Sequence, residues 1–350
     1  MLQGEMMKKL RLGCIGCGGI METHLEVILK HVPDTEVVAL CDINEENMNR
    51  LGDKYNIKSR YTNYKELLER RDIDAVDIAV RPEEAKPEIV KAAAEAMKHI
   101  FLEKPMAVSM ENAEEMAATI RRNRVKFQIG FHRRFLSEFK KAKEIIGSPE
   151  FGEVTGLTVC HPVNGFPMVA FLAQGPHSLD SLIFLGGPVE KISGYCYKIR
   201  AKSDQEYAAA ISVLPKKDWT YARNEEKIID LNVAVSLQFK NGAVGSYVFS
   251  SFGGGNPPMQ FQLFGKNHGV IVIELGRGGS FYSSTSANVK TWEAGQGMEG
   301  YIGEFQHFAD YVLRDATPII SLDEGLQGVR LYEAILKLIA KGGDIEVCLN

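Results

Sequence analysis

The stretch Leu10-Arg11-Leu12-Gly13-Cys14-Ile15-Gly16-Cys17-Gly18-Gly19-Ile20-Met21 narrows the fold more than any other. A short apolar run enters a glycine-rich turn, and helical spacing begins around Ile20. Gly16 and Gly18 take the first two positions of G-x-G-x-x-G, where a missing Cβ lets the backbone turn tightly and approach a pyrophosphate. The helix that follows aims its free N–H groups and positive end at that anion. Gly16, Gly18, Gly19 and Ile20 are therefore candidate cofactor contacts. Met21 stands where the third glycine would be, so strand and helix are expected to pack less closely there. Cys14 and Cys17 also spell C-x-x-C. A redox pair opens a helix, where the thiolate is stabilised; here Cys14 lies in the strand and Cys17 in the turn, so both read as packing.

A chain of 350 residues suggests two domains with a core each. Its net charge of −4 argues against nucleic acid as the main partner. The six cysteines are scattered and mostly inside apolar strand patterns, as expected of reduced, buried thiols rather than a disulfide framework. Met1 to Lys9 carries no apolar targeting core, and no run is long enough to span a membrane. The expectation is a cytoplasmic protein with no membrane partner.

Downstream, Glu22 to His31 keeps helical spacing, and Thr35 to Cys41 is a β-rich run ending at Asp42. An acidic residue at the end of a second strand is where a dinucleotide fold hydrogen-bonds the adenosine ribose. A 2′-phosphate there meets a like charge, worth about 4 kcal/mol at 4 Å and an effective dielectric of 20. No Lys or Arg follows Asp42 before Arg50, so NAD is expected over NADP. Helices at Asn44–Tyr55, Tyr64–Arg70 and Pro87–Met97 alternate with strands at Ser59–Tyr61, Ala75–Val80 and His99–Leu102. Ligands bind beyond the carboxyl ends of such strands, which places Arg81, Pro82, Glu103 and Lys104 at the cofactor. Arg81 either reaches the pyrophosphate or faces solvent. Asp72-Ile73-Asp74 reads as solvated loop carboxylates, and no metal site is expected.

Beyond about Arg124 the alternation gives way to a helix (Phe135–Ile145) and repeated strand patterns, at 154–161, 189–199, 228–239, 243–250, 259–264 and 269–275. Asn241-Gly242 between two of them is a hairpin signal. Ser251 to Pro258 reads as a flexible connection. Glu304–Leu313 and Glu324–Lys341 return to helical spacing. Arg121-Arg122-Asn123-Arg124 and Lys140-Lys141-Ala142-Lys143 read as solvated helix faces. The domains are expected at 1–124 and 125–350.

Taken together, these residues resemble the Gfo/Idh/MocA oxidoreductases, a family that includes glucose–fructose oxidoreductase and inositol dehydrogenase. The matching pieces are Gly16-Cys17-Gly18-Gly19-Ile20 with His24, Val38-Ala39-Leu40-Cys41-Asp42, and Lys98-His99-Ile100-Phe101-Leu102-Glu103-Lys104-Pro105. Gly130-Phe131-His132-Arg133-Arg134-Phe135, Phe151-Gly152-Glu153-Val154, His177-Ser178-Leu179-Asp180 and Phe184-Leu185-Gly186-Gly187 follow in order. Glu304-Phe305-Gln306-His307-Phe308 and Asp323-Glu324-Gly325-Leu326 close the series, and Glu-Lys-Pro is its most specific member.

The resemblance implies an α/β protein. An N-terminal Rossmann domain would precede a C-terminal α/β domain with a large, mostly antiparallel open sheet, through which subunits pair as a homodimer or homotetramer. It implies an NAD-dependent oxidoreductase acting on a sugar or polyol, with Lys104 beside the substrate hydroxyl and His177 as proton acceptor. Arg134 would orient the substrate or buttress the cofactor site, and His161 and Asp180 are further substrate-side candidates. Two departures stand out. The family's D-x-x-x-H is broken by Ala173, four residues before His177, with His161, Asn164 and Gln174 as possible substitutes. A family histidine after the fourth strand is replaced by Lys86. These changes keep two other readings open: retained-NAD lyase, hydrolase or epimerase chemistry, as in NAD-dependent glycosidases, and a non-catalytic NAD-binding regulator.

Overall fold

The computed structural model describes residues 9–163, 167–212, 227–251, 257–341 and 345–349. Asn164 and the 252–256 part of the Ser251–Pro258 connection lie outside the described residues. The chain divides into two units, Met1–Phe135 with Gly297–Val329, and Leu136–Gln296 with Arg330–Asn350.

In the first unit, β1 (Leu10–Ile15), β2 (Thr35–Cys41), β3 (Arg60–Tyr61), β4 (Ala75–Ile78), β5 (His99–Glu103) and β6 (Phe127–Gly130) form one sheet. Its order is β3-β2-β1-β4-β5-β6 and every pairing is parallel. The order reverses between β1 and β4, so the carboxyl ends of these strands frame the crevice of a doubly wound fold. Strands covered on both faces read as apolar runs; all four residues of β4 are buried, Asp77 among them. The helices are α1 (Gly19–His31), α2 (Glu45–Lys54), α3 (Tyr64–Leu68), α4 (Lys86–Glu95) and α5 (Met110–Asn123). Asn44, Asn63 and Ser109 cap α2, α3 and α5 by accepting a backbone N–H each.

One face of this sheet buries Leu12, Cys14, Met21, Leu25 and Leu40. Phe305, Phe308 and Ala309 join them from a helix that returns from far down the chain, Glu299–Arg314. The other face buries Ile78, Val90, Ile100, Leu102 and Met116. Met21 is fully buried and fills space beside α1 that a glycine would leave.

With this return and β6, the compact unit reaches beyond the boundary expected at Arg124. Residues 127–130 pair with β5, and the unit runs to Phe135 before taking back Gly297–Val329. A four-residue strand and a distant helix add no local break in sequence pattern, so only pairing and burial reveal them.

In the second unit, nine strands form the sheet β14-β13-β12-β11-β7-β10-β9-β8-β15. They are β7 (Val154–Val163), β8 (Val189–Arg200), β9 (Ile228–Phe239), β10 (Val244–Ser251), β11 (Gln260–Gly265), β12 (Val270–Glu274), β13 (Gly278–Tyr282), β14 (Lys290–Trp292) and β15 (Ile345–Cys348). Among the described residues only β7 with β10 is parallel. The Asn241-Gly242 turn joins β9 to β10, with Gly242 at φ +85°. The helices are α6 (Ser137–Ile145), α7 (Pro167–Gly186) and α8 (Asp204–Ile211); the returning helix of the first unit is α9, and α10 is Leu322–Lys341. One sheet face buries Leu157, Val159, Leu237, Phe249 and Phe261 with Phe139, Leu179 and Leu182. The opposite face stays open, with Tyr195, Tyr197 and Val244 each more than 60% exposed.

The helix carrying His177 begins at Pro167, with Pro176 inside it. Helix α8 and strands β13, β14 and β15 carry patterns too short or too polar to have stood out. Cys14, Cys17 and Cys41 are buried free thiols, but Cys160 and Cys348 are exposed, because alternation in a one-sided sheet turns every second residue outward.

Candidate active site

The turn between β1 and α1 is built from backbone. Gly16 sits at φ +94°, a region that L side chains rarely adopt. A Cβ there would also collide with the carbonyl oxygen of Ala79 on the neighbouring strand end. At Gly18 and Gly19, by contrast, a Cβ would meet nothing within 4 Å, so the mouth of the turn is open. Gly18 caps α1 without a side-chain hydrogen bond, which leaves the first N–H groups of the helix, those of Gly19 and Ile20 among them, for an anion. Asp42 leans over this turn: its carboxylate accepts the Cys17 N–H at 2.5 Å and the Asn44 N–H at 2.8 Å. Burial raises the Cys17 thiol to about 12 and pushes Cys14 well up. Neither thiol is a thiolate nucleophile at neutral pH, so the C-x-x-C is packing.

Lys104 follows β5 and is joined to Pro105 by a cis peptide, as Arg81 is to Pro82 at the end of β4. The Lys104 side chain is 11% exposed, and its Nζ lies 3.7 Å from Glu103 Oε1. Burial, with the charges of Arg81 and Arg133, lowers its pKa against the pull of Glu103 and Glu83. Arg81 is largely exposed and 3.9 Å from Glu83, and Pro82 is exposed beside it. His132 is held neutral: burial, then Arg133 and Lys104, take its pKa to about 3. Its ring stacks on Tyr301 at 4.5 Å. Arg134 is buried, and its guanidinium donates to Ile319 O at 2.8 Å and Glu324 Oε1 at 3.0 Å. Those contacts make it a buttress for the returning segment.

Behind Glu103 lies a buried polar cluster whose members, His24 and Glu304 among them, the sequence did not assign to a site. His24 Nδ1 is 2.9 Å from Asp77 Oδ2, and its Nε2 is 4.0 Å from Glu103 Oε2. Burial works against a charged His24, but Asp77 and Glu103 outweigh it and its pKa is raised. Glu304 on α9 is fully buried, and neither carboxylate oxygen has a hydrogen-bond partner among the described residues. Burial, reinforced by Glu103 and Asp77, pushes its pKa well above the carboxylate range. The available signals were an aspartate inside the apolar run Ala75–Ile78, and a glutamate on the helix face that also carries Phe305 and Phe308.

In the second unit, His161, Ser178 and Tyr247 form a closed triangle. His161 Nδ1 is 3.1 Å from both Ser178 Oγ and Tyr247 Oη, and the two hydroxyls are 3.0 Å apart. His177 and Asp180 are buried on α7, and the His177 carbonyl accepts the Ser181 hydroxyl at 2.9 Å. Of the expected substitutes for the acid missing at Ala173, Gln174 is exposed and His161 is engaged in the triangle. The structure thus gathers Gly16, Gly18, Gly19, Ile20, Asp42, Arg81, Pro82, Glu103, Lys104 and Arg134 in the first unit, and His161, His177 and Asp180 in the second.

A cavity lined by Leu10, Ile73, Asp74, His99 and Val312 lies at the amino ends of β1, β4 and β5, opposite the glycine turn. Asp74 there is committed to Arg11 through paired hydrogen bonds of 2.9 Å. Asp72 likewise pairs with Arg70 at 2.5 Å. Among the described residues no group of three or more His, Cys, Asp or Glu is arranged for a metal, and no helix is long and apolar enough to cross a membrane.

The open mouth at Gly18 and Gly19, the uncapped start of α1 and the Asp42 carboxylate fit a dinucleotide. Comparison with known proteins agrees. Residues 10–131 match the oxidoreductase family's NAD-binding Rossmann fold, and residues 162–349 match its C-terminal alpha/beta domain. An uncharacterized oxidoreductase of Bacillus subtilis is 37% identical over 147 residues, an alignment spanning 42% of either chain. The myo-inositol 2-dehydrogenase of Thermotoga maritima is 30% identical over 244 residues, 67% of either chain. An Agrobacterium radiobacter oxidoreductase, crystallised with NAD+, L-tartaric acid and magnesium, superposes with a TM-score of 0.80 at 19% identity, covering 98% of this chain and 99% of that one. With both family domains matched in order around the glycine turn and the Glu103-Lys104-Pro105 step, the chain belongs to the Gfo/Idh/MocA family of NAD-binding oxidoreductases.

Proposed function

We propose that this protein is an NAD-dependent dehydrogenase that moves a hydride between a sugar or polyol carbon and the nicotinamide. Lys104 carries the reading. A nearly buried amine, its proton loosened by burial and two arginines, stands at the carboxyl end of β5, where the cofactor's reactive end lies in this fold. The bound dinucleotide supplies the hydride acceptor. The chain's own groups do the rest. The N–H groups at Gly18, Gly19 and Ile20 hold the pyrophosphate, with Arg81 and Pro82 alongside. Asp42 takes the ribose hydroxyls. Lys104 holds the substrate hydroxyl as the carbon gives up hydride, and His177 is the proposed proton acceptor. His161 and Asp180 serve the substrate side, and Arg134 keeps the first unit in shape.

NAD is favoured over NADP because the Asp42 carboxylate would meet a 2′-phosphate as a like charge, and Arg50, the first cation downstream in sequence, is paired with Glu22 at 2.7 Å. The similarity to a myo-inositol 2-dehydrogenase makes inositols the first substrates to try. The open face of the second sheet, with Tyr195, Tyr197 and Val244 on it, suits a second copy of the chain, as a homodimer or homotetramer. A cytoplasmic setting agrees with the free thiols of Cys14, Cys17 and Cys41.

The test is to denature purified protein, measure released nicotinamide dinucleotide, and then follow NADH formation with inositols and other polyols. Lys104→Ala is expected to cut turnover by about 10³-fold or more while leaving NAD affinity within about threefold. Full activity in that variant overturns the assignment, and turnover without net NADH points to transient oxidation instead.

A further inference from the structure

Lys86 is an unlikely place for a charge. It is 1% exposed and opens α4, where the helix dipole disfavours a cation. Lys104 and Arg81 oppose it as well. What it receives is specific: its Nζ donates to the carbonyl of Glu103 at 2.7 Å and to that of Pro105 at 3.0 Å. Those two carbonyls flank Lys104 on either side.

We propose that Lys86 is a positioning residue for Lys104, its ammonium clamping the backbone on both sides of that residue so that the catalytic amine projects from a fixed turn. The proposal rests on Lys104 being the amine at the reacting centre. A hydrocarbon side chain would fill the same space without burying a charge, but would take from both carbonyls the donor that Lys86 gives them. The family's histidine at this position has at most two ring N–H donors, whereas an ammonium has three, enough to reach both carbonyls at once. The clamp also has an electrostatic consequence. Burial lowers the pKa of Lys86 to about 8, with Glu103 and Glu83 supporting its charge and Lys104 and Arg81 opposing it. Coupling between two titrating groups is mutual, so a protonated Lys86 eases the proton off Lys104. Glu103, Glu83, Arg81 and Arg133 also act on Lys104, and none of them is altered when Lys86 alone is replaced.

The experiment follows Lys104 by NMR, in protein labelled with 13C at lysine Cε and titrated with pH. Its signal is the one lost in Lys104→Ala. In Lys86→Met the Lys104 midpoint is expected to rise by about half a unit or more, the lower side of what one nearby charge does. Its resonance is expected to broaden or split as the turn loosens. The reverse measurement needs no change at Lys86: in Lys104→Ala the Lys86 midpoint rises by a similar amount, so the test stands even where Lys86→Met fails to fold. Midpoints that stay put in both proteins overturn the proposal. Failure of the catalytic reading is separate, since it shows as undiminished turnover in Lys104→Ala and leaves the coupling of the two midpoints intact.

Discussion

At the residue scale, the site depends on charges whose surroundings fix their behaviour. Asp42 is held by the Cys17 and Asn44 N–H groups, so its carboxylate is aimed before any ligand arrives. Asp42→Ala should reduce discrimination against NADP by about tenfold or more, a third or so of the Coulomb repulsion available to a close like-charge pair; the ratio of apparent affinities for NAD and NADP measures it. Glu304 makes a different prediction. Its folded pKa lies well above the usual carboxyl value, so between the two the native state binds more protons than the unfolded one. Stability from this group is therefore complete below the ordinary carboxyl range and falls as pH rises above it. Glu304→Gln removes that slope. The variant should melt a few degrees higher than wild type near pH 8 and converge with it near pH 4, as thermal unfolding across pH would show. A wild-type curve that parallels the variant's would mean that Glu304 is ionised in the folded protein.

At the element scale, the β1–α1 turn is the least forgiving part of the first unit. Gly16 combines a positive φ with a backbone oxygen where its Cβ would stand. Gly16→Ala should cost more than about 1 kcal/mol in urea unfolding and weaken NAD binding, because the strain shifts the N–H groups proposed to hold the pyrophosphate. Unaltered NAD titration in that variant would show that the turn tolerates the shift. Helix α7 shows the limit of reading elements locally. Proline favours first turns, yet Pro176 lies inside this helix, nine residues after its start at Pro167. Phe171, Leu179 and Leu182 bury its face in the second core, and that burial outweighs the one hydrogen bond a proline removes.

At the scale of the whole molecule, the second unit exposes a broad sheet face. Tyr195 and Tyr197 lie two apart on β8 and point the same way, 68% and 61% exposed. A long open sheet with aromatic residues on its bare side is a surface that proteins cover. Tyr195→Glu with Tyr197→Glu should lower the mass seen by light scattering after gel filtration, with thermal stability of the subunit little changed. An unchanged mass would move the interface elsewhere.

The glycine turn with Asp42 beside it, and the order of most elements, were legible in the sequence. Gly16, Gly18 and Asp42 act through local geometry at the end of a strand, and period-two alternation marked six strands of the second sheet. Glu103-Lys104-Pro105 was legible because strand and step are contiguous. Tertiary structure decided what depends on distant partners. It pairs β6 into the first sheet, brings α9 back across it, and buries His24 against Asp77 with Glu304 close behind. It also made Lys86, known from sequence only as a departure from a family histidine, a donor to the carbonyls on either side of Lys104. Local pattern reports which face of an element is apolar. Which buried charge meets which carbonyl depends on how the elements pack, and no single stretch of sequence contains that.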